Sequence, residues 1–279
     1  MQIGTMQGRL LPKYKGRYQA FPPKHWQDEF TIAASLGLNL IEFILDYEDA
    51  DANPLLHPDG PAQIAAVIRR TDVAVHTICA DYFMEAPLHA ANLAVAAQSL
   101  KVLETLIVNA AQLGMHDVVI PCVDQSSLRG EADMDRFITA LSQALPLATR
   151  HQINLALETD LAPQPFVTLL QRLNSPAVTV NYDTGNSAAL GFDPAEELAA
   201  YGTRITDIHI KDRTLGGGPV LLGEGHCRFN HFFKALAKTN YGGPFIMQAW
   251  RDEEGVAVFK QQLAFILPYI QQHHSERAS

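Results

Sequence analysis

The sequence predicts an α/β protein: a single-domain (β/α)8 barrel. Three observations carry this. Strand-like and helix-like stretches alternate eight times along 279 residues, a length near that of one such barrel. Three successive strand candidates end in side chains able to bind a metal: Glu158 after Ile153–Leu157, Asp183 after Ala177–Val180, and His209 after Ile205–Ile208. The steps between them are 25 and 26 residues, room for one helix and its connections. Parallel barrels build their sites at the C-terminal ends of strands, so three such side chains converge on one point. No GxGxxG opens the first βα turn, which counts against a dinucleotide fold.

The elements follow in order. Gln2–Met6 reads as the first strand, and Gln7–Pro23 as a long polar loop. Trp26–Leu36 has helical spacing and stops at Gly37; Ala90–Leu113, the longest helix, stops at Gly114. Leu38–Leu45 is the second strand, carrying Glu42, and Pro61–Thr71 the next helix. Val73–Cys79 reads as a strand with His76 inside it, Asp117–Cys122 as the fourth strand, and Met134–Arg150 as the helix after it. Ile153–Glu158 is a strand and Pro163–Leu173 a helix. Thr184-Gly185 suits a tight turn. Asp193-Pro194-Ala195-Glu196 is a helix start with a capping-box-like pattern. Thr214–Gly218 reads as a flexible loop, Phe229–Lys238 as a helix, Pro244–Ala249 as the eighth strand and Val256–Gln272 as the last helix. The domain is expected to span residues 1–272, with a polar frayed tail over 273–279.

Composition bounds the partners. A hydrophobic content of 47% suits a full core, and a net charge of −9 argues against general nucleic-acid binding. Cys79, Cys122 and Cys227 form no disulfide framework and no CxxC motif. The N-terminus does not read as a signal peptide, and no run approaches the roughly 18 consecutive apolar residues of a membrane span. A soluble, cytoplasmic protein is the expectation, with a small molecule as its partner, no nucleic acid and no membrane. Pairing into a homo-oligomer stays open, since no stretch marks an interface.

Two carboxylates and an imidazole at Glu158, Asp183 and His209 suit one divalent ion, Mn²⁺, Mg²⁺, Co²⁺ or Zn²⁺, with positions left for substrate or water. A fourth ligand from the eighth strand falls at Gln248, a neutral donor. Around them, Glu42, His76, Lys211, Asp212 and Glu224 are candidates for substrate hydroxyls. Arg9, Lys211 and Arg251 are candidates for a substrate phosphate, and Trp250, with Tyr82 and Phe83, for an apolar wall against a sugar. For the arginines and the histidine, solvation or core packing is the competing reading.

The set Leu157-Glu158, Asn181-Tyr182-Asp183-Thr184-Gly185-Asn186, Asp207-Ile208-His209-Ile210-Lys211-Asp212 and Gly223-Glu224-Gly225 resembles the xylose-isomerase-like TIM-barrel superfamily. These are sugar isomerases and epimerases, and the chain is most similar to the L-ribulose-5-phosphate (L-xylulose-5-phosphate) 3-epimerases. The similarity runs from Gly4 to about Tyr269 and is strongest from Glu158 onward. The resemblance implies a metal site of two Glu, one Asp and one His. It carries over to Glu158, Asp183 and His209, and departs at Gln248, where those epimerases have Glu. It also implies paired acid–base chemistry by the two Glu, of which only Glu158 is present; Gln transfers no proton at neutral pH. The expected activity is therefore metal-assisted enolisation of a sugar or sugar phosphate, isomerase or epimerase, with Glu158 as base. A dehydratase on the same barrel and a non-catalytic sugar-binding barrel are the alternatives. An apurinic-site endonuclease asks for more histidine ligands and a basic face.

Overall fold

The computed structural model describes residues 1–253 and 255–278. Eight parallel strands close a barrel: β1 (Ile3–Met6), β2 (Leu40–Ile44), β3 (Thr77–Cys79), β4 (Asp117–Cys122), β5 (Asn154–Thr159), β6 (Val178–Asp183), β7 (Ile205–Ile210) and β10 (Phe245–Met247). β10 pairs with both β7 and β1, so the last strand closes the ring on the first. Two further short strands, β8 (Asp212–Arg213) and β9 (Pro219–Val220), form an antiparallel ribbon at the mouth. The helices are α1 (Asp28–Ser35), α2 (Gly60–Thr71), α3 (Tyr82–Glu85), α4 (Leu93–Gln112), α5 (Glu131–His151), α6 (Pro163–Leu173), α7 (Thr184–Leu190), α8 (Pro194–Tyr201), α9 (Phe229–Leu236) and α10 (Val256–Ala278).

The two glycine stops are realised in the same way. Gly37 and Gly114 sit at φ +74° and +67°. Leu38 N–H donates to Ala33 O and Met115 N–H to Ala110 O, so each helix closes in a Schellman turn that leads straight into its strand. α4 is long and apolar enough to cross a membrane by length and composition, although Gln98, Lys101 and Glu104 interrupt it. Its residues Val102, Leu103, Leu106, Ile107 and Ala110 recur at helical spacing and are buried in the protein core.

Several expectations are corrected. Thr184-Gly185 is not a turn but the start of α7, capped by Asp183. Thr214–Gly218 is a loop, as expected; it joins β8 to β9, with Thr214 N–H donating to Gly218 O. Residues 273–278 are not a frayed tail: α10 continues to Ala278, and buried His273 places Nε2 2.9 Å from Tyr241 O, while Ser279 lies outside the described residues. His76 precedes β3 rather than lying in it, because the ladder with β4 begins at Thr77↔Asp117.

Candidate metal centre

The three strand-end side chains come together. Glu158, Asp183 and His209 are all buried, and one ligand atom from each lies within 4.8 Å of the others. Parallel registry explains part of this, since Asp183 on β6 is the direct neighbour of His209 on β7. His209 lies inside β7, one residue deeper than the sequence suggested, and it reaches Glu158 on β5, on the other side of β6, with Nδ1 4.0 Å from Glu158 Oε2.

In each ligand the atom turned away from the cluster is anchored. Asp183 Oδ1 accepts N–H bonds from Gly185 and Asn186, both 2.8 Å, as N-cap of α7. Glu158 Oε1 accepts the Asn186 amide at 2.6 Å. His209 Nε2 lies 2.8 Å from Glu42 Oε1, with both side chains fully buried. That leaves His209 Nδ1 buried with no hydrogen-bond partner among the described residues. A buried nitrogen of this kind, near two carboxylates, has the chemistry of a metal donor. The donor set therefore fits a divalent ion.

Burial dominates the electrostatics. It raises the Glu158 carboxyl to about 7, and the charge of Asp183 adds to this against the opposing pull of His209 and Lys211. Burial also raises Glu42 to about 7. Asp207, beneath His209, is pushed up by burial and by Glu42. At the mouth, Lys211 Nζ donates to Gln248 Oε1 at 3.1 Å and lies 3.5 Å from both Asp183 Oδ2 and Asn186 Oδ1. Gln248, just past β10, is buried and thus faces the centre through Lys211.

The outer candidates divide. Glu42 does not line the mouth: it accepts from Thr77 Oγ1 at 2.6 Å and orients His209 from below. His76 lies at the N-terminal end of the barrel, where its ring packs 5.1 Å from His116, away from the centre. Asp212 does not pair with Lys211; its carboxylate accepts from the N–H groups of Gly223, Gly225 and Cys227 and so pins the loop before α9. Glu224 is an exposed residue of that turn, its N–H bonded to Leu221 O. Arg251 is engaged, donating to the carbonyls of Gly8 and Arg9 and stacking 4.6 Å from the Tyr18 ring centroid. Trp250 is partly exposed, and its carbonyl accepts from Gln262.

Arg9 is brought toward the mouth. Buried Glu29 accepts the Gly8 and Leu10 N–H groups at 2.7 and 2.9 Å, and Arg251 holds the Gly8 and Arg9 carbonyls, so the backbone at Arg9 is clamped on both sides. Gly8 is required there: φ is +91°, and a Cβ would lie 2.0 Å from Tyr18 O. Burial lowers the Arg9 guanidinium to about 10, against the fields of Asp81 and Asp183.

Three contributors escaped the sequence reading. Asn186 ties Glu158 to Lys211 and to Arg213, whose Nη1 donates to Asn186 Oδ1 at 2.8 Å. Arg213 and Asn186, with Asp124 and Asp160, border a cavity of about 230 Å³ beside the cluster. Glu29 acts from α1, outside every strand end. Asn186 stands one α-helical turn from Asp183, and that spacing was the available signal.

Comparison with known proteins agrees with this fold. The family model described as xylose isomerase-like TIM barrel matches residues 30–269. Among curated relatives, the putative L-ribulose-5-phosphate 3-epimerase SgbU of Haemophilus influenzae is 27% identical, over 87% of this chain and 91% of its own. The L-ribulose-5-phosphate 3-epimerase UlaE of Salmonella paratyphi A is 26% identical, over 81% and 83%. Among solved structures, 3-keto-D-glucoside 4-epimerase YcjR from E. coli superposes with TM-score 0.75 at 18% identity, covering 96% of this chain and 99% of that one. An L-ribulose 3-epimerase superposes with TM-score 0.74 at 19% identity, covering 99% and 97%. With a closed eight-stranded parallel barrel and a family match across most of its length, the chain belongs to the xylose isomerase-like TIM-barrel family.

Proposed function

We propose that this protein is a divalent-metal-dependent isomerase or epimerase of a small ketose or ketose phosphate. The observation that carries the reading is the convergence of Glu158 Oε2, the Asp183 carboxylate and the orphaned His209 Nδ1, each ligand anchored through its other atom. These three, with Gln248 Oε1 as a neutral fourth donor, would hold the ion. A mixed oxygen and nitrogen set of this kind suits Mn²⁺, Mg²⁺, Co²⁺ or Zn²⁺. When bound, the ion supplies Lewis-acid polarisation of a carbonyl and its neighbouring hydroxyl.

The chain's own residues account for the proton. Glu158 is the base: Asn186 fixes its orientation, and with a divalent ion beside it the carboxylate is ionised and able to accept a proton from carbon near neutral pH. Gln248 transfers no proton, so among the described residues the centre has Glu158 as its one carboxylate at the two positions where a two-faced epimerisation would use a pair. A single base returning its proton to the same face gives aldose–ketose isomerisation. Arg213 and Asn186, which holds Glu158, border the cavity and meet substrate oxygens there. Arg9, whose Nη2 donates to Gln19 Oε1 at 2.9 Å and whose buried Nε has no hydrogen-bond partner among the described residues, is the guanidinium for an anionic end. The named activities of SgbU and UlaE support a small sugar phosphate as substrate.

Gln248 also supports a second reading, a sugar-binding barrel without turnover. Metal analysis of the purified protein, followed by proton exchange in D₂O against ketoses and ketose phosphates, separates the two. Bound divalent metal with deuterium entering beside the carbonyl is expected, and the labelled carbon distinguishes isomerase from epimerase. Loss of water from the labelled substrate would identify a dehydratase. Absence of both metal and exchange would sink the catalytic reading in favour of the binding protein.

A further inference from the structure

We propose that the Lys211 ammonium is the resident cation of the metal-free centre and is exchanged for the divalent ion when the metal enters. This inference rests on the metal reading above and adds to it a competitor built into the chain. The side chain is 16% exposed, and its Nζ sits among three oxygens: Gln248 Oε1 at 3.1 Å, Asp183 Oδ2 at 3.5 Å and Asn186 Oδ1 at 3.5 Å. Three acceptors match the three donors of an ammonium. Asp183 Oδ2 is also the ligand oxygen left over once Oδ1 has capped α7. The ammonium and a divalent ion therefore draw on the same atom.

A separate feature of the backbone shows that this pose is built. Gly185 lies against the Lys211 stem, and a Cβ there would come within 2.7 Å of Lys211 Cγ and 2.9 Å of its Cβ. The absence of a side chain at 185 is the groove in which the lysine lies. Gln248 then takes a definite role. A carboxylate at 248 would pair with Lys211 as an ion and still offer charge to a metal. The neutral amide holds Lys211 by one hydrogen bond and leaves the two carboxylates, Glu158 and Asp183, facing one internal positive charge. Metal entry places two positive charges beside a third, and the long lysine stem lets the ammonium turn outward.

The experiment compares Mn²⁺ binding to the wild-type chain and to Lys211→Met, by calorimetry and by thermal unfolding. The variant is expected to bind Mn²⁺ at least tenfold tighter. Its metal-free Tm is expected to fall, and the rise in Tm on adding Mn²⁺ to exceed that of wild type. Equal or weaker binding by the variant would overturn the proposal. A second measurement needs no variant: acylation of lysines by acetic anhydride, followed by mass spectrometry, with exposed Lys101 as reference. Lys211 is expected to label faster once Mn²⁺ is bound; unchanged or slower labelling would overturn the exchange. Mn²⁺ binding that ignores Lys211 defeats this inference alone. Failure of both proteins to bind any divalent ion defeats the metal reading with it.

Discussion

Replacing Glu42 by Gln tests whether His209 is held for metal binding from beneath. Glu42 Oε1 lies 2.8 Å from His209 Nε2, and its other oxygen accepts from Thr77 Oγ1 at 2.6 Å, all in full burial. A glutamine keeps the shape: its amide oxygen accepts from His209, and the Thr77 hydroxyl turns to accept from the amide nitrogen. What is lost, at a pH above about 7 where Glu42 is ionised, is charge assistance. Hydrogen bonds to charged groups contribute roughly 1.5–3 kcal/mol and neutral ones roughly 0.5–1.5, a difference of about 1–1.5 kcal/mol. That difference reappears in how strongly the ring is biased to present Nδ1 as an acceptor, so metal affinity falls by about tenfold. Glu42→Ala goes further, leaving two buried donors without acceptors at roughly 1–3 kcal/mol each. Its Tm falls by about 5–15 °C on the scale for a chain of this size. The assay is a divalent-metal titration beside thermal unfolding for both variants. Wild-type affinity in Glu42→Gln, with wild-type affinity also in Glu42→Ala, would refute the claim that Glu42 sets the ligand histidine.

The other predictions concern the ligands and the β1–α1 loop. Glu158→Gln abolishes substrate proton exchange while far-UV circular dichroism stays that of wild type; normal exchange in this variant removes Glu158 as the base. Gln248→Glu tightens divalent binding, and the gain is larger in a Lys211→Met background, where no ammonium competes for the new carboxylate. Additive gains would show that residues 211 and 248 do not share the centre. For Glu29, burial lifts the folded-state carboxyl from its ordinary 4.5 to about 7. The native state then holds more protons than the unfolded chain, so this contribution to stability is complete below pH 4.5 and is lost as pH rises through 7. The total is about 3 kcal/mol at roughly 1.36 kcal/mol per pH unit. Glu29→Gln flattens that part of the profile; parallel stability-versus-pH curves for variant and wild type would contradict it.

What was legible in the chain follows physical rules that act locally. Gly37 and Gly114 announced their Schellman turns because a left-handed residue is needed wherever a helix ends one step before a strand. Glu158, Asp183 and His209 were legible because apolar strands terminate in polar side chains at the mouth. Glu42 was misread because β2 is buried along its whole length, so alternation gives no sign of how deep a side chain lies. α7 is seven residues long, too short to show a period, and it looked like a turn. Asp212 looked like a site residue because its three backbone partners lie 11 to 15 residues ahead. The partners of Arg251 lie 242 and 243 residues back, beyond any local pattern.

The joint between the first and last strands has a consequence for how this protein is made. β1 meets β10, Arg251 grips Gly8 and Arg9, and Lys13 pairs with Glu253, all across some 240 residues of chain. At about 5–20 residues per second, a ribosome takes on the order of tens of seconds to supply the second half of that joint. Throughout that interval the nascent sheet keeps an open edge at β1, the kind of edge that recruits stray strands. Arg9 meanwhile has only the Glu29 side of its clamp, since Arg251 has not yet been translated. The mouth therefore cannot be complete before the final unit has been translated.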